Sequence, residues 1–160
     1  MEHIFTLFFH FIGIGLLVTT IVAGYLLNGQ YRKAGDYQKK AIILRAMRPI
    51  GLLSPVASLL LLVTGIGNMH SLGFSALDLP GWLAYKIVFY AIALLSGILF
   101  SVKSRKRAKL VGQIEAGKAP ADAENTLRSI DQQISLFYPV LSILFTIIVL
   151  LSITGRLGAQ

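Results

Sequence analysis

Polar residues gather in two blocks along this chain, and around them run four apolar stretches: Ile4 to Leu27, Ile50 to Met69, Trp82 to Val102 and Ile134 to Thr154. Each is long enough to cross about 30 Å of hydrocarbon as a helix rising about 1.5 Å per residue. Inside each stretch, small and polar side chains recur in steps of about four and three, the spacing that puts them on one helix face. In the first, Thr6, His10, Gly13, Leu17, Thr20 and Gly24 share a stripe, and Phe8, Phe11, Ile12 and Val22 lie largely off it. Ser54, Ser58, Gly65 and Asn68 mark the second stripe, Lys86, Tyr90, Ala93, Gly97 and Ser101 the third, and Ser135, Tyr138, Ser142, Val149 and Ser152 the fourth. Lipid supplies no hydrophobic drive between helices, so stripes of small and hydrogen-bonding residues face protein, and Gly65 with Gly67 predicts close backbone approach. The pattern predicts an all-α, membrane-spanning, up-down-up-down four-helix bundle, with residues 1–160 forming a single integral membrane domain.

The polar blocks supply the connections. Asn28 and Gly29 are expected to close the first helix, and Asp36 to cap a segment Tyr37 to Arg48 along the membrane face. Pro49 and Pro55 bend the entry into the second span, and Pro139 kinks the fourth within its first turns. Gly117 and Pro120 predict a turn, with a helix from about Asp122 running into the last span.

Composition agrees: 55% hydrophobic and 14% charged residues are far from the balance of a domain whose surface faces water. Thirteen of the 15 Lys and Arg fall in residues 28–49 and 103–133. The positive-inside rule places those blocks in the cytoplasm and both termini, with the loop His70 to Gly81, outside, as in a multi-pass protein of the inner (cytoplasmic) membrane. The first span lacks a basic lead and a small-residue cleavage site, and is read as a retained helix. Attraction to anionic lipid headgroups accounts for the net charge of +8. Nucleic acid is excluded as a partner, since no recognition motif accompanies the cations. A chain without cysteine has no disulfide, thiolate ligand or thiol chemistry.

Two residues stand out chemically. Lys86 is the one charge in its span, about a turn inside it, where an ammonium either snorkels to water, pairs, or faces a polar cavity. Trp82 and Tyr85 beside it suit the water interface. His10 sits in the first stripe, about 9 Å inside the span, either as a neutral imidazole bonded to a neighbouring helix or as a ligand or proton-transfer group. Met69 and His70 read as surface residues, two ligands being too few for a metal.

The pattern Arg45-x-Met47-x-Pro49, then Gly65, then Gly81-Trp82-Leu83-x-x-Lys86, with His10 in the first span, resembles the HemJ-type protoporphyrinogen oxidases and their uncharacterised four-helix relatives. The likeness covers the first three spans, about two thirds of the chain. It implies haem b held by His10 as metal ligand, with Arg45 and Trp82 as further cofactor-binding residues and Lys86 in a catalytic role. The histidine that family carries later in its third span has no counterpart near Ser96 and Gly97, and its first-span tryptophan is absent. Two functions follow. The first is a membrane protein binding haem or another porphyrin for redox chemistry. The second is a cofactor-free structural or accessory membrane protein, in either case with the lipid bilayer and a second copy of the chain as candidate partners.

Overall fold

The computed structural model describes residues 2–75 and 78–157. They form four helices, α1 (Glu2–Lys33), α2 (Tyr37–Ser71), α3 (Gly81–Glu115) and α4 (Ala123–Leu157), each long and apolar enough to cross a membrane. Helix α1 packs on α2 and α3 on α4, with α2 against α3 and α1 against α4 closing the bundle. Gly67 meets Thr6, Thr64 meets His10 and Leu61 meets Gly13, so α1 and α2 run in opposite senses. The up-down-up-down bundle expected from the stripes is the observed fold. Both tight turns lie at one end, here the basic end, and the α2–α3 loop, with its bridge between Ser75 and Asp78, lies at the other, the termini end.

The helices outrun the apolar stretches. At 32 to 35 residues they are each about 50 Å long, against about 30 Å of hydrocarbon. The surplus lies at the basic end, where three sequence expectations need correcting. Asn28 and Gly29 do not close α1, which continues to Lys33 and buries Asn28. Tyr37 to Arg48 is not a separate surface segment but the opening third of α2, which contains both Pro49 and Pro55. A proline removes one donor, while Tyr37, Ile43 and Leu44 gain burial against the neighbouring helices only if the extension stays in the bundle. The predicted cap holds: Asp36 accepts from the Lys39 backbone N–H at 2.7 Å. That bond, with help from the Lys39 side chain, keeps the Asp36 carboxyl below the ordinary carboxylate range. Gly117, at φ +65°, supplies the left-handed residue after α3, and Asp122 precedes α4 as expected.

Two different packings divide the length of the bundle. At the basic end, Tyr31, Ala41, Leu110, Val111, Ala123, Leu127, Ile130, Ile134 and Tyr138 form a buried cluster like that of a water-soluble bundle. Toward the termini end the large apolar side chains point outward: Phe8, Phe11, Leu59, Leu95 and Leu99 are each exposed by more than half. Their helices meet instead through small residues, with Gly13 against Leu61, Gly67 against Thr6, and Gly155 against the Trp82 indole. Gly65 is not one of these approaches, because a Cβ there would meet open space. The α1 stripe is confirmed residue by residue, as Gly13 and Gly24 are buried and the other four partly buried. On α4, Tyr138 is buried and Ser135, Val149 and Ser152 are partly buried as expected, but Ser142 is exposed; the buried line continues toward the basic end through Ile134, Ile130 and Leu127. Ser142 donates to its own helix at the Tyr138 carbonyl (2.9 Å), and Thr146, Ser152 and Thr154 do likewise one turn back. A hydroxyl satisfied within its own helix needs no facing partner, so serine spacing is a weak guide to the inward side.

Candidate functional site

In the apolar half, the chemistry centres on His10. Thr64 on α2 donates its hydroxyl hydrogen to the Leu60 carbonyl at 2.6 Å. With that hydrogen committed to Leu60, the hydroxyl keeps lone pairs that can accept from the His10 ring, whose Nδ1 stands 2.8 Å away. Thr64 is buried and His10 partly so. One helical turn further along α2, the Asn68 side-chain oxygen Oδ1 is buried with no hydrogen-bond partner among the described residues. Buried acceptors of this kind take a water or a ligand donor.

Lys86 comes to a similar depth. Tyr90, one turn toward the basic end on α3, donates to the Ser58 carbonyl on α2 at 2.6 Å. From that level His10 stands about 9 Å and Lys86 about 6 Å toward the termini end. Lys86 is half-buried. Trp82, a further turn out on the same face, lies edge-on to Phe74 (6.3 Å) and against Gly155 of α4. Arg45 belongs elsewhere. It is exposed at the basic end, 3.7 Å from Glu115, about 28 Å along α2 from Thr64, and shares no site with His10. Among the described residues no group of three or more histidine or acidic side chains gathers as metal ligands.

Among the described residues the most completely buried charge lies inside the basic block 103–133, which the sequence assigns to the cytoplasm. Arg107 is 1% exposed, and all four helices meet on its guanidinium. Nη1 donates to Asn28 Oδ1 of α1 at 2.8 Å and stands 3.5 Å from Asp131 Oδ1 of α4. Nη2 reaches Met47 Sδ of α2 at 3.9 Å, and the Tyr31 ring centroid lies 4.4 Å from the guanidinium carbon. Tyr31 in turn donates to Asp131 Oδ2 at 3.3 Å. Tyr31 and Asp131 lie beyond the apolar stretches. Burial raises the Asp131 carboxyl above its ordinary range against the downward pull of Arg107 and Tyr31, and raises the Tyr31 hydroxyl too. Arg107 Nε and Asp131 Oδ1 make no hydrogen bond of good geometry, so the pair is close but incompletely aligned. The sequence held a signal for it: the inward line of α3 continues past Val102 through Ser104, Arg107 and Val111 at the same spacing.

Beside this cluster a cleft of about 330 Å³ opens between the α1–α2 turn and α4. Tyr31, Arg32, Tyr37, Lys40, Arg128 and Asp131 are among its walls. No family model matches this chain, and neither a curated protein nor a solved structure is detectably similar to it.

Proposed function

We propose that this multi-pass membrane protein binds a porphyrin, haem b, through His10 in its apolar half, in a HemJ-like redox role, with the basic end in the cytoplasm. The observation that carries the reading is the Thr64-oriented imidazole. A hydrogen bond on one ring nitrogen orients the imidazole, which is how ligating histidines are held in metal sites. The donor set fits the group: one fixed imidazole, a half-buried Lys86 ammonium at similar depth to offset a propionate, and the buried Asn68 oxygen ready to accept a donor. When bound, haem supplies one-electron chemistry. The chain's own residues then hold and orient it: Thr64 sets the His10 ring, Lys86 balances charge or carries a proton, and the exposed apolar side chains keep water out by facing lipid. The 13 clustered cations support the cytoplasmic placement of the basic end.

The cofactor-free accessory role is favoured by the tight contacts at Gly13 and Gly67 on either side of His10, which are those of helices held together for packing alone. A reduced-minus-oxidised spectrum of protein produced with haem supplied separates the two. The haem reading expects a Soret band that is lost in His10→Ala and shifted or weakened in Thr64→Val. A wild type without the band, or a His10→Ala protein that keeps it, leaves the accessory reading.

A further inference from the structure

We propose that the cleft at the basic end binds a phosphate group, supplied by the phosphodiester of an anionic phospholipid. The inference rests on the membrane-crossing reading and is independent of haem. The height of the cleft is the first argument. Ser135 in its wall sits one residue inside the fourth apolar stretch, and Tyr31 lies four residues beyond the first, so the cleft opens where hydrocarbon gives way to headgroups.

The charges in the wall are the second argument. Three cations line it, Arg32, Lys40 and Arg128, and none of them has a carboxylate partner among the described residues. The two acids are already engaged. Glu124 accepts the Tyr37 hydroxyl at 3.1 Å, and Asp131 takes Tyr31 and Arg107. An entering anion therefore meets cations that make no close ion pair and an Asp131 carboxylate whose charge is partly answered by Arg107 and Lys40. The Lys40 ammonium stands 5.5 Å from the Tyr31 ring centroid and 5.1 Å from that of Tyr37. Contact with two ring faces positions the ammonium at the cleft without consuming its donors on a carboxylate. With guanidinium forks on Arg32 and Arg128, the wall offers the planar and point-charge donors that phosphate oxygens accept. A volume of about 330 Å³ admits a headgroup phosphate with its glycerol but not a whole lipid, whose chains would lie along the apolar faces of α1 and α4.

The test uses the full-length protein in nanodiscs of phosphatidylcholine containing a minority of phosphatidylglycerol, with retained lipid identified by native mass spectrometry. The wild type is expected to retain phosphatidylglycerol enriched several-fold over its share of the bilayer. Lys40→Gln with Arg128→Gln should abolish the enrichment. Arg105→Gln with Lys109→Gln, the same charge change on exposed residues outside the cleft, should preserve it, as should Lys40→Arg with Arg128→Lys, which also controls for folding. Equal loss in both glutamine pairs means diffuse attraction and overturns the site, as does a wild type with no enrichment. Inorganic phosphate added to phosphatidylcholine-only nanodiscs separates the sources. Binding there with the same dependence on Lys40 and Arg128 assigns the cleft to free phosphate and overturns the lipid. A chain that stays out of the nanodisc removes the membrane reading, and this site with it.

Discussion

The same four helices are packed in two ways along their length, and the change in packing follows the change in solvent. At the basic end Val111 and Ile134 are almost completely buried and most charged residues face out, apart from Arg107 and its partner Asp131. Water drives that arrangement, since apolar area removed from it is worth about 25 cal/mol per Å². In the apolar half the order reverses: Phe8, Leu59 and Leu95 face outward, and the interior is made of Gly13, Ala57, Leu61 and Thr64. With lipid tails as apolar as leucine, nothing is gained by hiding large side chains, and close approach of small ones takes over. A continuous helix can satisfy both conditions, provided that its inward stripe changes character at the boundary.

Breaking the water-facing half should cost most. Arg107→Ala leaves Asp131 buried without its cation, Asn28 without its donor, and a cavity at the meeting point of four helices. The expected loss is about 3–5 kcal/mol, read as a lower thermal midpoint in mild detergent. Asp131→Asn, which keeps the shape and the Tyr31 contact, should cost clearly less. If Arg107→Ala unfolds like the wild type, the basic end is not a core.

In the apolar half the effects should be smaller and glycine-specific. Gly67→Leu pushes a side chain into Thr6 and should cost about 1–3 kcal/mol, whereas Gly65→Leu, two residues away, meets open space and should change little. Gly13→Leu against Gly15→Leu repeats the contrast on α1, since of these two Gly13 lies against Leu61 and Gly15 meets open space. Equal effects within either pair would remove the small-residue account of this half.

The smallest effect belongs to the exposed Asp36 cap. Its carboxyl is held below its ordinary value of 3.8 by the Lys39 N–H. A depressed acid contributes stability above its unfolded pKa and loses it as pH falls through the folded one, so Asp36→Ala should match the wild type only in strong acid. A stability difference that persists unchanged below pH 3.8 would contradict the bond.

The contrast between the halves also explains what could be read from the sequence. The four spans and the α1 stripe were legible because lipid forces long apolar runs and small residues repeat at helical spacing. On α4 only Ser142 misled, because its hydroxyl closes on its own helix. His10 was legible as an inward imidazole, but Thr64 as its partner was not, since a threonine 54 residues away carries no mark of the pairing. Arg107 was hidden by its neighbours: Arg105, Lys106 and Lys109 make a charge run, and only the continued stripe sets one of the four apart. Asn28 was read as a helix stop because asparagine favours helix ends, although here a buried guanidinium holds it inside α1.

The most direct test is a scan of single cysteines in this cysteine-free chain, each carrying a nitroxide spin label in lipid vesicles. Collision with oxygen, which concentrates in hydrocarbon, is compared with collision with a water-soluble nickel chelate at Phe11, Leu59, Leu95, Arg105 and Lys109. Two solvents along one bundle predict oxygen dominance at Phe11, Leu59 and Leu95, with an abrupt change to nickel dominance at Arg105 and Lys109 further along the same helix. Nickel dominance at all five sites would contradict it, leaving a bundle in water with its large apolar side chains exposed.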